Sequence, residues 1–163
     1  MLSEKMGKAL NEQINAELHS AYLYLSMAAY FESANLKGFA HWMRIQAQEE
    51  VGHAMRFFDF IHDRGGKVTL TALEGPKTEW KNARDAFAGA LEHERYISGR
   101  INKLVALARD ENDYASDAFL QWFVNEQVEE EATADLIVQQ LTLIGDSTNG
   151  LFMMDHQLAK RED

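Results

Sequence analysis

The sequence has no cysteine among its 163 residues, and its only proline is Pro76. The chain itself therefore offers neither disulfides nor thiolate ligands for zinc or iron–sulfur clusters. The long stretches on either side of Pro76 are rich in alanine, leucine, glutamate, methionine and glutamine, a composition that favours helices. No segment approaches the roughly 20 continuous apolar residues of a transmembrane helix. The N-terminus lacks the apolar core of a signal peptide, so we expect a cytoplasmic protein with no membrane partner.

Positive charge is also scarce, because 16 lysines and arginines stand against 26 acidic residues for a formal net charge of −10. A general affinity for nucleic acid needs a basic face, so the charge balance argues against a nucleic-acid partner. An acidic surface or cavity attracts cations instead. Hydrophobic residues make up 46% of the chain, which predicts one folded domain with a sizeable core.

Capping and stop signals divide the chain into four long helices and a short fifth one. The predicted spans are about 3–33, 38–64, 82–110, 113–144 and 146–159. The predicted N-caps are Ser3, Asn82, either Asp113 or Ser116, and either Asp146 or Ser147. Gly65-Gly66 and Gly145 are expected to end the second and fourth helices.

The segment 67–81 has no helical period and contains Gly75-Pro76, which predicts a loop. Its roughly fifteen residues reach roughly 50 Å when extended, enough to cross helices that are ~40–45 Å long. Short turns make the first and second helices antiparallel, and likewise the third and fourth. We therefore predict an all-α fold, a four-helix bundle over residues 1–145 with one long crossover, followed by a short C-terminal helix and tail over 146–163.

The fifth helix is more apolar than a trailing helix needs to be. Its apolar residues are Leu151, Phe152, Met153, Met154 and Leu158. Either this helix packs across the end of its own bundle, or it packs against other copies of the chain. The sequence leaves both arrangements open.

Each long helix carries one stripe of residues at alternating steps of three and four, the spacing of a helix face packed in a bundle. The stripes run from Leu10 to Phe31, from Phe39 to Phe60, from Phe87 to Ala108 and from Leu120 to Leu141. Each has an acid near its middle, and none contains lysine or arginine. Buried acids without a basic partner are costly, so they require metal cations or strongly raised pKa values. We favour metal.

The first two predicted metal ligands are Glu50 and His53, a Glu-x-x-His pair that lies on one helix face. A carboxylate oxygen beside an imidazole nitrogen suits iron, manganese or zinc. If Glu50 bridges two ions, Glu17 and His53 complete one ligand set, and Glu94 and Glu130 complete the other. The alternative is that these polar faces point to solvent, but moving the stripes outward would bury charged neighbours instead.

Further polar residues flank this predicted centre. Glu126 and Glu129, with Glu49 next to the Glu-x-x-His pair, form either a third metal position or a solvated acidic face. Gln127 is placed to hydrogen-bond a ligand or bound oxygen, or to bind metal weakly. Tyr24 lies two turns beyond the first acid, where it hydrogen-bonds a ligand, donates an electron, or simply packs with its hydroxyl satisfied.

The chain resembles the ferritins, specifically their prokaryotic non-haem type, over almost its whole length. The resemblance is carried by the stretches NEQINAELHSAYLYLSMAAYF, HWMRIQAQEEVGHAMRF, EHE and FLQWFVNEQVEEEA. It implies a ferritin-like fold with a dinuclear iron ferroxidase centre at Glu17, Glu50, His53, Glu94 and Glu130, with Gln127 and Tyr24 beside it. It also implies a third iron position at Glu49, Glu126 and Glu129.

The same resemblance implies a hollow homo-oligomer of about twenty-four subunits. Such a shell oxidises Fe(II) with dioxygen or peroxide and stores a ferric oxide mineral. Two departures matter. Bacterioferritins repeat the Glu-x-x-His pair on the fourth helix, where this chain has Gln127-Val128-Glu129-Glu130, so the centre is expected to be asymmetric. Bacterioferritins also bind haem through a methionine just after the bridging glutamate; Val51 stands there, so we predict no haem.

Two other functions use the same ligands. A di-iron oxygenase would act on an organic substrate and would need a pocket and a reductase partner. A metal buffer or structural shell would bind metal without consuming oxygen. The asymmetric ligand set does not by itself separate storage from buffering.

Overall fold

The computed structural model describes all residues, 1–163, and contains five helices and no strand. The helices are α1 (Glu4–Ser33), α2 (Lys37–Asp63), α3 (Ala83–Asp110), α4 (Tyr114–Ile144) and α5 (Thr148–Leu158). The predicted all-α architecture of four long helices and a short fifth is therefore confirmed. None of the five helices combines the length and apolar character needed to cross a membrane.

The helix ends follow the capping chemistry of the sequence. Side-chain oxygens accept a hydrogen bond from a first-turn N–H at Ser3, Asn82, Asp113 and Ser147. Where the sequence left two candidates open, the structure selects Asp113 for α4 and Ser147 for α5. Gly145 ends α4 with φ 55° and ψ −129°, a backbone conformation that residues with a Cβ rarely adopt.

The loop between α2 and α3 crosses the length of the bundle along α1. Near its start, Asn11 Nδ2 donates to the Lys67 carbonyl at 2.9 Å. Near its end, Ser26 Oγ donates to the Lys77 carbonyl at 2.7 Å. Because the loop travels from the N-terminal half of α1 to its C-terminal half, α3 begins at the same end of the bundle as α2. The two helices run parallel, as the loop length predicts.

The four predicted stripes form the interior, with one exception. Phe60 is only partly buried, and the next residue, Ile61, is fully buried in its place. The reason is geometric, since a stripe written at 3.5 residues per turn drifts by ~20° per heptad on a straight helix. Apolar side chains form two separate clusters along the bundle axis, one around Phe31 and Phe39 and the other around Phe57. The buried acids lie at the middle of the helices, between these clusters.

The short helix α5 packs across the end of its own bundle, the first of the two arrangements left open. Met154 and Leu158 are buried in the apolar cluster around Phe39. Asp155 Oδ1 accepts hydrogen bonds from the backbone N–H groups of Gly38 at 2.8 Å and Phe39 at 3.0 Å. These bonds cap the N-terminus of α2, whose own N-cap residue is a leucine without a side-chain cap. The fifth helix therefore closes the bundle and stabilises α2.

Gly38→Ala is expected to lower the free energy of unfolding by about 1–3 kcal/mol. A Cβ at this position would lie 1.7 Å from the carbonyl oxygen of Asp155, so α5 would have to move and weaken its cap on α2. Thermal and denaturant unfolding would measure the loss. Gly52→Ala is the matched control in the same helix, because a Cβ there meets no atom within 4 Å. Equal stability of the two variants would contradict the proposed contact.

Candidate metal centre

The five predicted metal ligands converge between the two apolar clusters. Glu17 comes from α1, Glu50 and His53 from α2, Glu94 from α3 and Glu130 from α4, and each is at most 8% exposed. Each helix delivers its ligand from the middle of its buried stripe, so the packing of the bundle brings the side chains together. No lysine or arginine forms an ion pair with any of them.

The carboxylates and the imidazole form two groups that share Glu50. Glu17, Glu50 and His53 form one, and Glu50, Glu94 and Glu130 form the other, with the ligand atoms of each group within 4.8 Å of one another. These are the two sets expected from the sequence. A carboxylate common to both groups has one oxygen to offer each of two neighbouring cations.

Two glutamine amides orient the acids. Gln13 Nε2 donates to Glu17 Oε1 at 2.8 Å. Gln46 Nε2 donates to Glu50 Oε1 at 3.2 Å and to Glu130 Oε2 at 2.8 Å, which ties α2 to α4 across the centre. Neither residue was assigned a role from the sequence. Each lies one helical turn before the acid that it orients, and this i, i+4 spacing was the available signal.

One buried carboxylate oxygen lacks any hydrogen-bond partner, and it is Glu17 Oε2. His53 Nδ1 is 4.0 Å from this oxygen, too far for a hydrogen bond. The same nitrogen lies 3.1 Å from Glu50 Oε2. An unpaired buried acceptor costs about 1–3 kcal/mol. A cation among these three side chains would satisfy that oxygen, so the donor set fits a metal ion.

Tyr24 and Gln127 both hold Glu94. The Tyr24 hydroxyl donates to Glu94 Oε1, and Gln127 Nε2 donates to Glu94 Oε2 at 3.0 Å. Of the roles left open for these residues, hydrogen bonding to a predicted ligand is the one that the geometry supports. Both side chains are buried, so they fix the carboxylate without exposing it to solvent.

Burial dominates the ionisation of the centre. Burial, together with the charges of neighbouring carboxylates, raises the pKa of Glu17 and Glu50 well above the usual range and that of Glu130 to about 8. Burial also raises the pKa of Glu94, against the lowering effect of its hydrogen bonds from Tyr24 and Gln127. Without metal, Glu130 therefore retains its proton near neutral pH, and the raised pKa values of the other three acids favour their protonated forms as well. Cations that bind there must displace those protons.

The three acids predicted for a third position are less closely gathered. Glu126 is half-buried, and its Oε1 lies 3.9 Å from His53 Nε2. Glu129 is exposed, and Glu49 Oε2 accepts a hydrogen bond from Arg161 Nη2 at 2.8 Å. Only Glu126 joins a potential ligand group, together with His53 and Glu130. The third position therefore adjoins the dinuclear groups but stays a prediction.

One residue near the centre had no sequence signal. His93 Nε2 lies 2.7 Å from Ser20 Oγ, and the His93 ring meets the Tyr24 ring edge-on at 6.1 Å between centroids. Burial lowers the pKa of His93 to about 4, with a further contribution from His19. The imidazole therefore stays neutral near pH 7 and packs behind Tyr24. It lies off the buried stripe of its helix, so periodicity does not identify it.

Comparison with known proteins agrees with this architecture. A family model described as "Ferritin-like domain" matches residues 7–144. A bacterial non-heme ferritin of Bacteroides fragilis is 47% identical over 161 residues, covering 99% of this chain and 100% of the relative. One of Staphylococcus epidermidis is 41% identical, covering 99% and 97%. The solved open pore ferritin of Archaeoglobus fulgidus is 54% identical with a TM-score of 0.99, covering 99% and 100%.

Proposed function

We propose that this chain, which belongs to the ferritin-like domain family, stores iron by oxidising Fe(II) at the centre built around Glu50. One observation carries the assignment of the site. Two groups of buried ligands share a single carboxylate at the middle of a four-helix bundle. Curated relatives that match 99% of the chain are non-heme ferritins, which supports storage as the outcome of the oxidation.

Iron is the substrate and the stored material. Glu17, Glu50 and His53 hold one Fe(II), and Glu50, Glu94 and Glu130 hold the other. Four ionised carboxylates balance the four positive charges of two Fe(II) ions. Each Fe(II) gives up one electron; with dioxygen and two protons the products are two Fe(III) and hydrogen peroxide, and with peroxide as oxidant the product is water. Hard carboxylate ligands favour Fe(III) over Fe(II), which drives the oxidation.

The protein residues supply binding, orientation and proton release. The carboxyl groups lose protons as Fe(II) binds, because only the ionised form ligates metal. Gln13, Gln46, Gln127 and Tyr24 keep the carboxylates aligned through the hydrogen bonds described above. A third position at Glu126, Glu129 and Glu49 would receive Fe(III) that leaves the dinuclear groups on its way to the mineral.

The storage function also requires an enclosed space, so we propose a homo-oligomeric shell of about twenty-four subunits. A solved structure at 54% identity is that of an open pore ferritin, which supports an assembly of this kind. Phe152 and Met153 of α5 stay exposed in the single chain. These apolar side chains are available to a neighbouring subunit, while the opposite face of α5 packs on its own bundle.

Light scattering before and after addition of Fe(II) in air tests the proposal. We expect a particle of about twenty-four subunits that takes up far more iron than its binding sites can hold and consumes oxygen while doing so. The same addition without oxygen is the control and should stop at the binding sites. A stable monomer or dimer with two irons per chain would favour an oxygenase. Iron binding in air without oxygen consumption would favour a buffer.

A further inference from the structure

Arg161, in the tail that follows α5, is fixed against α2 by four contacts. Its guanidinium lies over the indole ring of Trp42, 4.2 Å from the ring centroid, and Nη1 donates to the Trp42 carbonyl at 3.2 Å. Nη2 donates to Glu49 Oε2 at 2.8 Å, and the Arg161 carbonyl accepts from His41 Nε2 at 2.8 Å.

The acid that Arg161 holds is the residue directly before the shared carboxylate. Glu49 belongs, with Glu126 and Glu129, to the acids proposed for the third iron position. Burial is the largest cause of the raised pKa of Glu126, and the negative charges of Glu129 and Glu49 add to it, so the three acids are near enough to interact. The guanidinium of Arg161 is therefore a fixed positive charge at the edge of an acidic set that has been proposed to take a cation.

The contact between Arg161 and Glu49 is not needed to hold α5 on the bundle. Met154 and Leu158 are buried in the core, and Asp155 caps α2. The fifth helix is held by those residues whether or not Arg161 binds Glu49. Stacking on Trp42 and bonding to its carbonyl hold the guanidinium at the acidic set.

We propose that Arg161 is a positioning residue that weakens cation binding at the third iron position by holding Glu49. The inference rests on the proposed function. A guanidinium nitrogen 2.8 Å from Glu49 neutralises part of the charge that attracts a cation, and it repels a cation bound to the other carboxylate oxygen. The dinuclear groups, which contact no arginine or lysine, then fill first. The third position fills last, and it receives iron mainly from a loaded centre.

Calorimetric titration of the assembled protein with Zn(II), which does not change oxidation state, tests this role. For the natural chain we expect two tight sites and a weaker third one. Arg161→Gln is expected to tighten the third site roughly threefold to tenfold and to leave both tight sites unchanged. Arg161→Lys keeps the charge but loses the planar stacking and paired donors, so a smaller tightening is expected. Lys160→Gln is the matched control, since it removes one positive charge from the neighbouring exposed residue.

The outcomes are distinct. A third site that tightens in Arg161→Gln, or that is measurable only there, supports the role, provided that Lys160→Gln does not behave alike. An unchanged third site beside two intact tight sites overturns the inference and leaves the proposed function standing. A lowered Tm with unchanged third-site affinity shows a structural role alone and also overturns it. If Arg161→Gln does not assemble, an Arg161→Lys third site equal to the natural one overturns it. Absence of the two tight sites in the natural chain overturns both proposals.

Discussion

Glu50→Ala is expected to lower the initial rate of Fe(II) oxidation by roughly 100-fold or more. The reason is that Glu50 is the one side chain common to both ligand groups, so its removal breaks the site of each ion and the link between them. Oxygen consumption after rapid mixing with two Fe(II) per chain would measure the rate. Anaerobic titration should show that the pair of tight sites is lost at the same time.

Asp59→Ala is the control for this variant. It removes an exposed acid of the same helix that belongs to no candidate ligand group, and it is expected to keep an initial rate close to that of the natural chain. Circular dichroism and native mass would establish that both variants fold and assemble. A Glu50→Ala protein that oxidises iron at the normal initial rate would show that the assignment of a shared carboxylate is wrong.

The metal-free protein is expected to lose stability as the pH rises from about 6.5 to about 8.5. Burial raises the pKa of Glu17, Glu50 and Glu94 and brings that of Glu130 to about 8. The folded chain therefore keeps protons that the unfolded chain, with glutamates near their ordinary pKa of about 4.3, has already released. When the folded state binds more protons, the free energy of unfolding falls as pH rises.

Between pH 6.5 and 8.5, the stability contributions of His93 and Asp113 do not change, so the slope there reports the glutamates of the centre. His93 has its pKa lowered to about 4, so its contribution to stability grows as pH rises towards the ordinary histidine pKa of about 6.5 and is constant above it. Asp113 has a lowered pKa and loses its contribution only in acid. We expect Tm of the metal-free protein to fall by roughly 5 °C or more across the window, since ~1 kcal/mol corresponds to roughly 2–4 °C in a chain of this size.

Metal is expected to reverse this dependence. Cations bind the ionised acids and release their protons, so Zn(II) should raise Tm more at pH 8.5 than at pH 6.5. Calorimetry with chelator and with Zn(II), and proton release into a weak buffer, would measure both effects. Glu130→Gln removes the acid whose pKa lies inside the window and should flatten the metal-free slope. A metal-free Tm that rises across the window would contradict the raised pKa values.

Local sequence signals were enough for the elements of the fold. Capping residues such as Ser3 and Asn82 placed helix starts correctly because a cap acts within one turn of its own chain. The stripes identified the buried faces for the same reason, since helical periodicity is a local property. The exception at Phe60 arose from the small difference between 3.5 and 3.6 residues per turn, which accumulates along a long helix.

The predicted ligands illustrate both the reach and the limit of such signals. Glu17, Glu94 and Glu130 stand at the middle of their stripes, and the structure brings them to Glu50 in the two expected groups. Their metal-binding role stays a prediction. The acids next to the centre were harder to place, because Glu126 lies between two helix faces and its partner depends on how α2 and α4 are rotated against each other.

By itself, the sequence determined the five helices, their buried faces and the acids that those faces carry, because each depends on residues within a few turns. Only the tertiary structure decided which distant groups meet. Asp155 caps α2 from 117 residues away, and Arg161 reaches Glu49 from 112 residues away. Such contacts have no periodic signature, since they arise from the packing of α5 and the tail on the finished bundle. The same packing put α5 on its own chain and left Phe152 and Met153 exposed.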